Sequence, residues 1–299
     1  MAETMFRLPL ISGSTDSNLA IDPGDPGKGE RIPLPNYKDP ASRLNYIKAV
    51  KNKYGDFVSG RGDALVRVNE SPAWGSKSAK ELATTYGKQL GINPALFYSS
   101  AMEEGMSGLF PDEKNLVYSS QNKDYPVSGY ASFGLDNIYD RYPEFVKKGY
   151  LPADFAKNMV KRTHINEKDE DVNSADFKTV DAALQAKAAY IRNSYDEIDN
   201  LAKAKGLKLS PQQRDFFALA NYNSGSRNAQ KMLQSYNEKG YLKNDDFLKK
   251  RPDESWKQVY DNVAVRMKMA DALRKEGLFD DDSQQTPTDN KKVMLKVSK

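Results

Sequence analysis

The sequence predicts a mainly α-helical fold. Apolar residues recur at helical spacing in one stretch after another, and capping residues and glycines bracket those stretches. No Gly-rich phosphate loop, heptad array or internal repeat breaks the pattern. With 299 residues the chain is long enough for one large domain or two small ones, and it can bury a sizeable core.

The elements follow in order. Residues 1–38 hold little periodic apolar sequence. Their SGSTDSN and DPGDPGKGE runs are turn and linker material, so this stretch reads as an N-terminal arm. Asp39-Pro40 makes a cap and first turn, Leu44, Ile47, Val50 and Tyr54 carry a helical stripe, and Gly55 closes it. Residues 60–68 are expected to hold a short strand, with Arg61-Gly62-Asp63 as a turn. Ser78 and Glu81 frame a capping box for a helix through Leu90. After Gly91 a second helix starts at once. Asn93 is its N-cap, and Pro94 suits the first helical position, where its missing N–H would be unbonded anyway. Leu96, Phe97, Ser100 and Ala101 share one face, and the helix ends on Glu103 and Glu104 before Gly105. The two helices form a hairpin or corner.

Residues 110–130 lack helical periodicity and carry Asp112, Glu113, Tyr118, Asp124 and Tyr125, a set suited to lining a cleft. Gly134 predicts close backbone approach before a short helix. Residues 146–178 read as a polar, irregular insertion with a short helix near Asp154–Lys161. Residues 180–204 give the clearest long helix, with a buried stripe of Leu184, Ala188, Ile191, Tyr195 and Ile198. Ser210-Pro211 opens a helix through Phe216, Phe217, Leu219 and Ala220 that runs into NYNSG (221–225), and a further helix follows Gly225. From Pro252 the last long helix presents Trp256, Tyr260, Val263, Met267 and Ala270 on one side and stops at Gly277. Residues 39–277 thus form the predicted domain, and 278–299 a polar C-terminal tail.

Composition narrows the chemistry. There is no cysteine, which excludes disulfides, thiolate metal sites and thiol catalysis. The one histidine, His164, lies in the charged run KRTHINEKDED and is expected at the surface. A His-based metal cluster or a Ser-His-Asp triad is therefore not expected. The formal charge of +4 is mild and its basic residues are interleaved with acidic ones, which does not argue for nucleic acid. No apolar run approaches the ~20 residues of a membrane span. Arg7 followed by LPLI is too short for a signal-peptide core. Hydrolytic chemistry would have to rest on carboxylates.

Glu103 and Glu104 are oddly placed for that reason. The negative end of the helix dipole, the adjacent carboxylate and any burial all disfavour the ionised form. That is the condition of a general acid working near neutrality. The plainer reading of the same residues is a solvated charge pair at a helix end.

Three separated segments then match one pattern in order. The chain resembles the soluble lytic transglycosylase and goose-type lysozyme group of the lysozyme superfamily. The family's first motif is a helix ending in Glu-Ser-Gly plus an apolar residue, here Glu103-Glu104-Gly105-Met106, so its acid falls on Glu103. The second, Gly-Leu-Met-Gln plus an apolar residue, corresponds to Gly134-Leu135-Asp136-Asn137-Ile138. The third, Ala-Tyr-Asn-x-Gly, corresponds to Asn221-Tyr222-Asn223-Ser224-Gly225. The resemblance covers roughly residues 78–236. Glu104 and Asp136 depart from the pattern. Both add negative charge near the proposed acid, which either tunes it upward or marks a site turned to other chemistry.

The resemblance implies a lysozyme-like helical domain that cleaves MurNAc–GlcNAc linkages of bacterial peptidoglycan without metal or organic cofactor. Glu103 would be the general acid/base. Tyr222 would orient its carboxyl group, and Asn137 would bond the sugar N-acetyl group or nearby backbone, with Asn223, Glu104 and Asp136 beside the substrate. Hydrolases place a second carboxylate about 5–5.5 Å or 6.5–9.5 Å from the first. Asp136 or Asp124 would serve in that scheme. No second carboxylate matches a position of the family motifs, which leans the expectation slightly toward the transglycosylase, where the sugar's own 6-hydroxyl attacks, or a lysozyme-like enzyme of unresolved outcome. The terminal arms and the missing cysteine suggest a phage virion component whose arms bind other virion proteins. The alternative is an inactive structural or adaptor protein that keeps the fold.

Overall fold

The computed structural model describes residues 31–33, 36, 39–54, 79–103, 138–165, 171–177, 180–243, 247–248, 250 and 253–279. These are mainly helical. Helix α1 spans Pro40–Tyr54, and the Asp39 carboxylate accepts the Ala41 N–H at 3.0 Å, as its sequence predicts for a cap. Among its described side chains Tyr46 turns inward, 3% exposed, while Leu44 is 52% exposed. The predicted stripe through Leu44 is therefore wrong at that position. Two residues turn a helix by roughly 200°, so burying Tyr46 turns Leu44 to solvent.

Helices α2 (Ala79–Leu90) and α3 (Pro94–Glu103) meet at a tight corner. The Asn93 side chain accepts the Leu96 N–H at 3.2 Å, which is the expected cap. Gly87 makes the corner possible. A Cβ there would lie 2.8 Å from the Ile92 carbonyl oxygen and 3.0 Å from Pro94 Cγ. All residues of α3 from Pro94 to Met102 are buried. An amphipathic stripe does not describe it; it is a helix enclosed on every side, packed between α2 and the last helix.

After α4 (Ile138–Lys147), a 3-10 turn at Phe155–Asn158 leads into an antiparallel hairpin. Its strands are β1 (Met159–Ile165) and β2 (Asp171–Phe177), with Met159 opposite Phe177 and Ile165 opposite Asp171. The short helix expected near Asp154–Lys161 is this 3-10 turn, whereas the hairpin corrects the expectation that the rest of the insertion is irregular. The strands read MVKRTHI and DVNSADF, too polar for a clear period-2 signal. Among the described side chains of the hairpin, Met159, Ala175 and Phe177 enter the core, and Val160 is 51% exposed.

The second half follows the sequence closely. Helices α5 (Val180–Ala204), α6 (Pro211–Ser224) and α7 (Ser226–Glu238) precede α8 (Lys257–Lys275), which a 3-10 turn at Glu254–Trp256 introduces. Each of the five predicted stripe residues of α5 is at most 1% exposed. Ser210 and Gln213 form a reciprocal capping box at the start of α6. Contacts run α2–α3, α3–α8, α8–α6, α6–α5 and α5–α2, so five helices close a ring around one core.

The end of α8 carries a buried carboxylate. Gly277, with φ of 68°, lets the Leu278 N–H reach the Leu273 carbonyl at 2.9 Å and its own N–H reach Arg274 at 2.8 Å. Glu276, beside it, accepts the Ile32 N–H at 2.7 Å, the Lys53 ammonium at 2.7 Å and the Tyr54 hydroxyl. Part of the predicted N-terminal arm is thus fastened to the domain. Residues 60–68, the Ser78 cap, Glu104, the cleft-lining stretch 110–130, Asp136, Asn137 and the tail beyond Phe279 lie outside the described residues. Among the described residues no helix is long and apolar enough to cross a membrane.

Candidate functional site

Of the predicted site residues, the structure describes Glu103, Tyr222 and Asn223; each is partly buried. Glu103 closes α3, whose position the Asn93 cap and the Gly87 corner fix at the other end. Tyr222 and Asn223 sit in the last turn of α6.

One residue of α8 connects the two places. Ser99 of α3 donates its hydroxyl to the Arg266 carbonyl at 2.8 Å. The Arg266 guanidinium in turn donates to the Asn223 side-chain oxygen at 3.3 Å. Glu103 follows Ser99 by four residues, one turn along the same face of α3. The helix that ends on the proposed acid and the third motif therefore meet the same arginine.

A second cation holds the motif's tyrosine. Lys187 of α5 is wholly buried, donates to the Tyr222 hydroxyl at 2.9 Å and lies 4.3 Å from the ring centroid. Arg266 is 2% exposed. Buried cations favour the ionised form of carboxylates brought within about 4–6 Å of them, an effect opposite in sign to the helix dipole at the end of α3.

The departure at the motif's first position has a structural use. Asn221, standing where the family pattern has alanine, is 4% exposed and donates to the Ser194 carbonyl at 3.3 Å and to Glu197 at 2.9 Å. An alanine would leave both acceptors on α5 without that donor. Glu197 also accepts Asn193 at 2.7 Å and the Ser226 hydroxyl. Burial pushes its carboxyl group up. The three hydrogen bonds and Arg141 outweigh that and hold it below the ordinary glutamate range.

Lys187, Arg266 and Glu197 were not singled out from sequence. For the two cations a signal existed. Lys187 lies three residues after Leu184 and four before Ile191, inside the apolar stripe of α5. Arg266 has the same spacing between Val263 and Ala270 in α8. A cation in an apolar stripe is rarely buried unless paired. Among the described residues no group of three or more His, Asp or Glu side chains is placed to hold a metal ion. Comparison with protein-family models, curated proteins and solved structures finds no match to this chain.

Proposed function

We propose that this chain is a peptidoglycan-cleaving glycosidase with a lysozyme-like helical domain, in which Glu103 protonates the leaving sugar oxygen. The observation that carries the reading is the connection through Arg266. The helix that ends on Glu103, through Ser99, and the third motif, through Asn223, both bond one buried residue of α8. Tyr222 is held in place by Lys187, which donates to its hydroxyl oxygen. A lytic transglycosylase uses one carboxyl group in succession as acid and base, and Glu103 is the one carboxylate that matches the family pattern. The substrate is the MurNAc–GlcNAc backbone. The setting we propose is a phage particle that opens the wall locally, since the polar, turn-rich sequences of residues 1–30 and 280–299 suit docking on neighbouring subunits.

A specific observation favours a second reading. Lys187 and Arg266 put two buried positive charges against Tyr222 and Asn223. A carboxylate drawn to them would stay ionised and fail as a proton donor. The protein would then be an inactive adaptor that keeps the fold. Zymograms of purified wild type and Glu103→Gln on peptidoglycan separate the two. Clearing by wild type alone supports the enzyme. No clearing by either, with both folded, supports the adaptor.

A further inference from the structure

We propose that Glu197 is the positioning residue for the Tyr222–Asn223 end of α6: from α5, its carboxylate grips α6 and α7 together and fixes the bend between them. Its Oε2 accepts Asn221 Nδ2 at 2.9 Å and the Ser226 hydroxyl, and its Oε1 accepts Asn193 Nδ2 at 2.7 Å. Asn221 immediately precedes Tyr222, and Ser226 opens α7 just beyond Gly225. Gly225, at φ of 81°, is where the chain direction changes. One carboxylate therefore clamps both sides of the four-residue segment that carries the motif.

The clamp depends on charge. Three donors meet two oxygens, which an ionised carboxylate accommodates. A protonated one loses the negative charge that strengthens all three bonds, so each donor is held more weakly. The charged groups around it are Arg141 of α4, 3.9 Å away, and Asp196 on α5. Lys148, just past α4, bonds Asn193 Oδ1 at 2.7 Å and pairs with Glu144. From α6 and α7 come the neutral Asn221 and Ser226. Hydrogen bonding and Arg141 keep the carboxyl group below the ordinary glutamate range, so the bend stays clamped at neutral pH and loosens in acid.

The consequence for catalysis rests on the glycosidase reading; the clamp itself does not. The first test is an acid titration of the full chain followed by the amide resonances of Gly225 and Ser226. In wild type both shift together in one transition below the ordinary glutamate range, and in Glu197→Gln that transition is gone. Flat wild-type resonances, or the same transition in Glu197→Gln, overturn the proposal. If Glu197→Gln does not fold, Ser226→Ala keeps the carboxylate but removes one donor. Its Gly225 transition then moves to higher pH, and an unmoved transition overturns the clamp. The second test uses soluble glycan strands. Glu197→Gln lowers kcat by up to ~100-fold at little-changed KM, as a misplacement near the reacting groups does. Full kcat with the bend released contradicts the positioning role. Glycan strands left intact by wild type would defeat the glycosidase reading alone, and the titration would still decide on Glu197.

Discussion

The ammonium of Lys187, with no surface exposed to solvent, donates to the hydroxyl of Tyr222 at 2.9 Å. A charge-assisted bond in such surroundings contributes about 1.5–3 kcal/mol. Lys187→Met and Tyr222→Phe should each lower the unfolding free energy by about 1–3 kcal/mol. The double variant should cost less than the sum, with a coupling of roughly 0.5–3 kcal/mol. Urea denaturation of the four proteins in the cycle measures this, and strict additivity would mean that the contact carries no energy.

The α2–α3 corner gives a prediction with an inverted sign. Glycine to alanine inside a helix normally stabilises by roughly 1 kcal/mol. At Gly87 the added methyl would stand 2.8 Å from the Ile92 carbonyl oxygen. Gly87→Ala should therefore destabilise by about 1–3 kcal/mol, the usual cost of overpacking. A higher melting temperature for the variant would show that the corner yields freely.

Glu276 lies at the negative end of α8, where an anion is unfavourable without partners. Its partners come from the other end of the chain: Ile32, Lys53 and Tyr54. Glu276→Ala should cost about 3 kcal/mol, as breaking a buried pair does. It should also speed proteolytic cleavage within residues 31–54. Unchanged cleavage there would mean that α1 is held by other contacts.

Two carboxyl groups set a pH window. Burial pushes Asp215 up to about 6, against the pull of Tyr195, Arg214 and Arg274. Burial and the neighbouring Asp199 raise Asp196 to about 6 as well. An unfolded aspartate titrates near about 3.9. Between those values the folded chain holds more protons than the unfolded one. The stability from these groups is therefore full below about 4 and lost as pH rises through about 6. Asp215→Asn should flatten the fall in stability between pH ~4 and ~6. Retention of the full slope would assign it to other groups.

Much of the fold could be read from sequence because its signals were local. Ser210, Pro211 and Gln213 announce the start of α6, and the stripe of α5 repeats without interruption. The hairpin could not be read, because MVKRTHI and DVNSADF interleave polar and apolar residues without a clear period of two. Leu44 misled because apolar character was equated with burial, whereas Tyr46 turns inward. The residues that hold Tyr222, Asn223 and Asn221 were harder to read, although the place of Lys187 and Arg266 inside apolar stripes was a signal. Lys187, Arg266 and Glu197 act across helices that only tertiary packing brings together.

The most direct test of the central claim is mass spectrometry of the soluble products after purified peptidoglycan is incubated with wild type and Glu103→Gln. The account predicts muropeptides from wild type, ending in anhydro-muramic acid if a transglycosylase and in a reducing sugar if a hydrolase, and none from the variant. Equal product from both proteins, or none from a folded wild type, would contradict it.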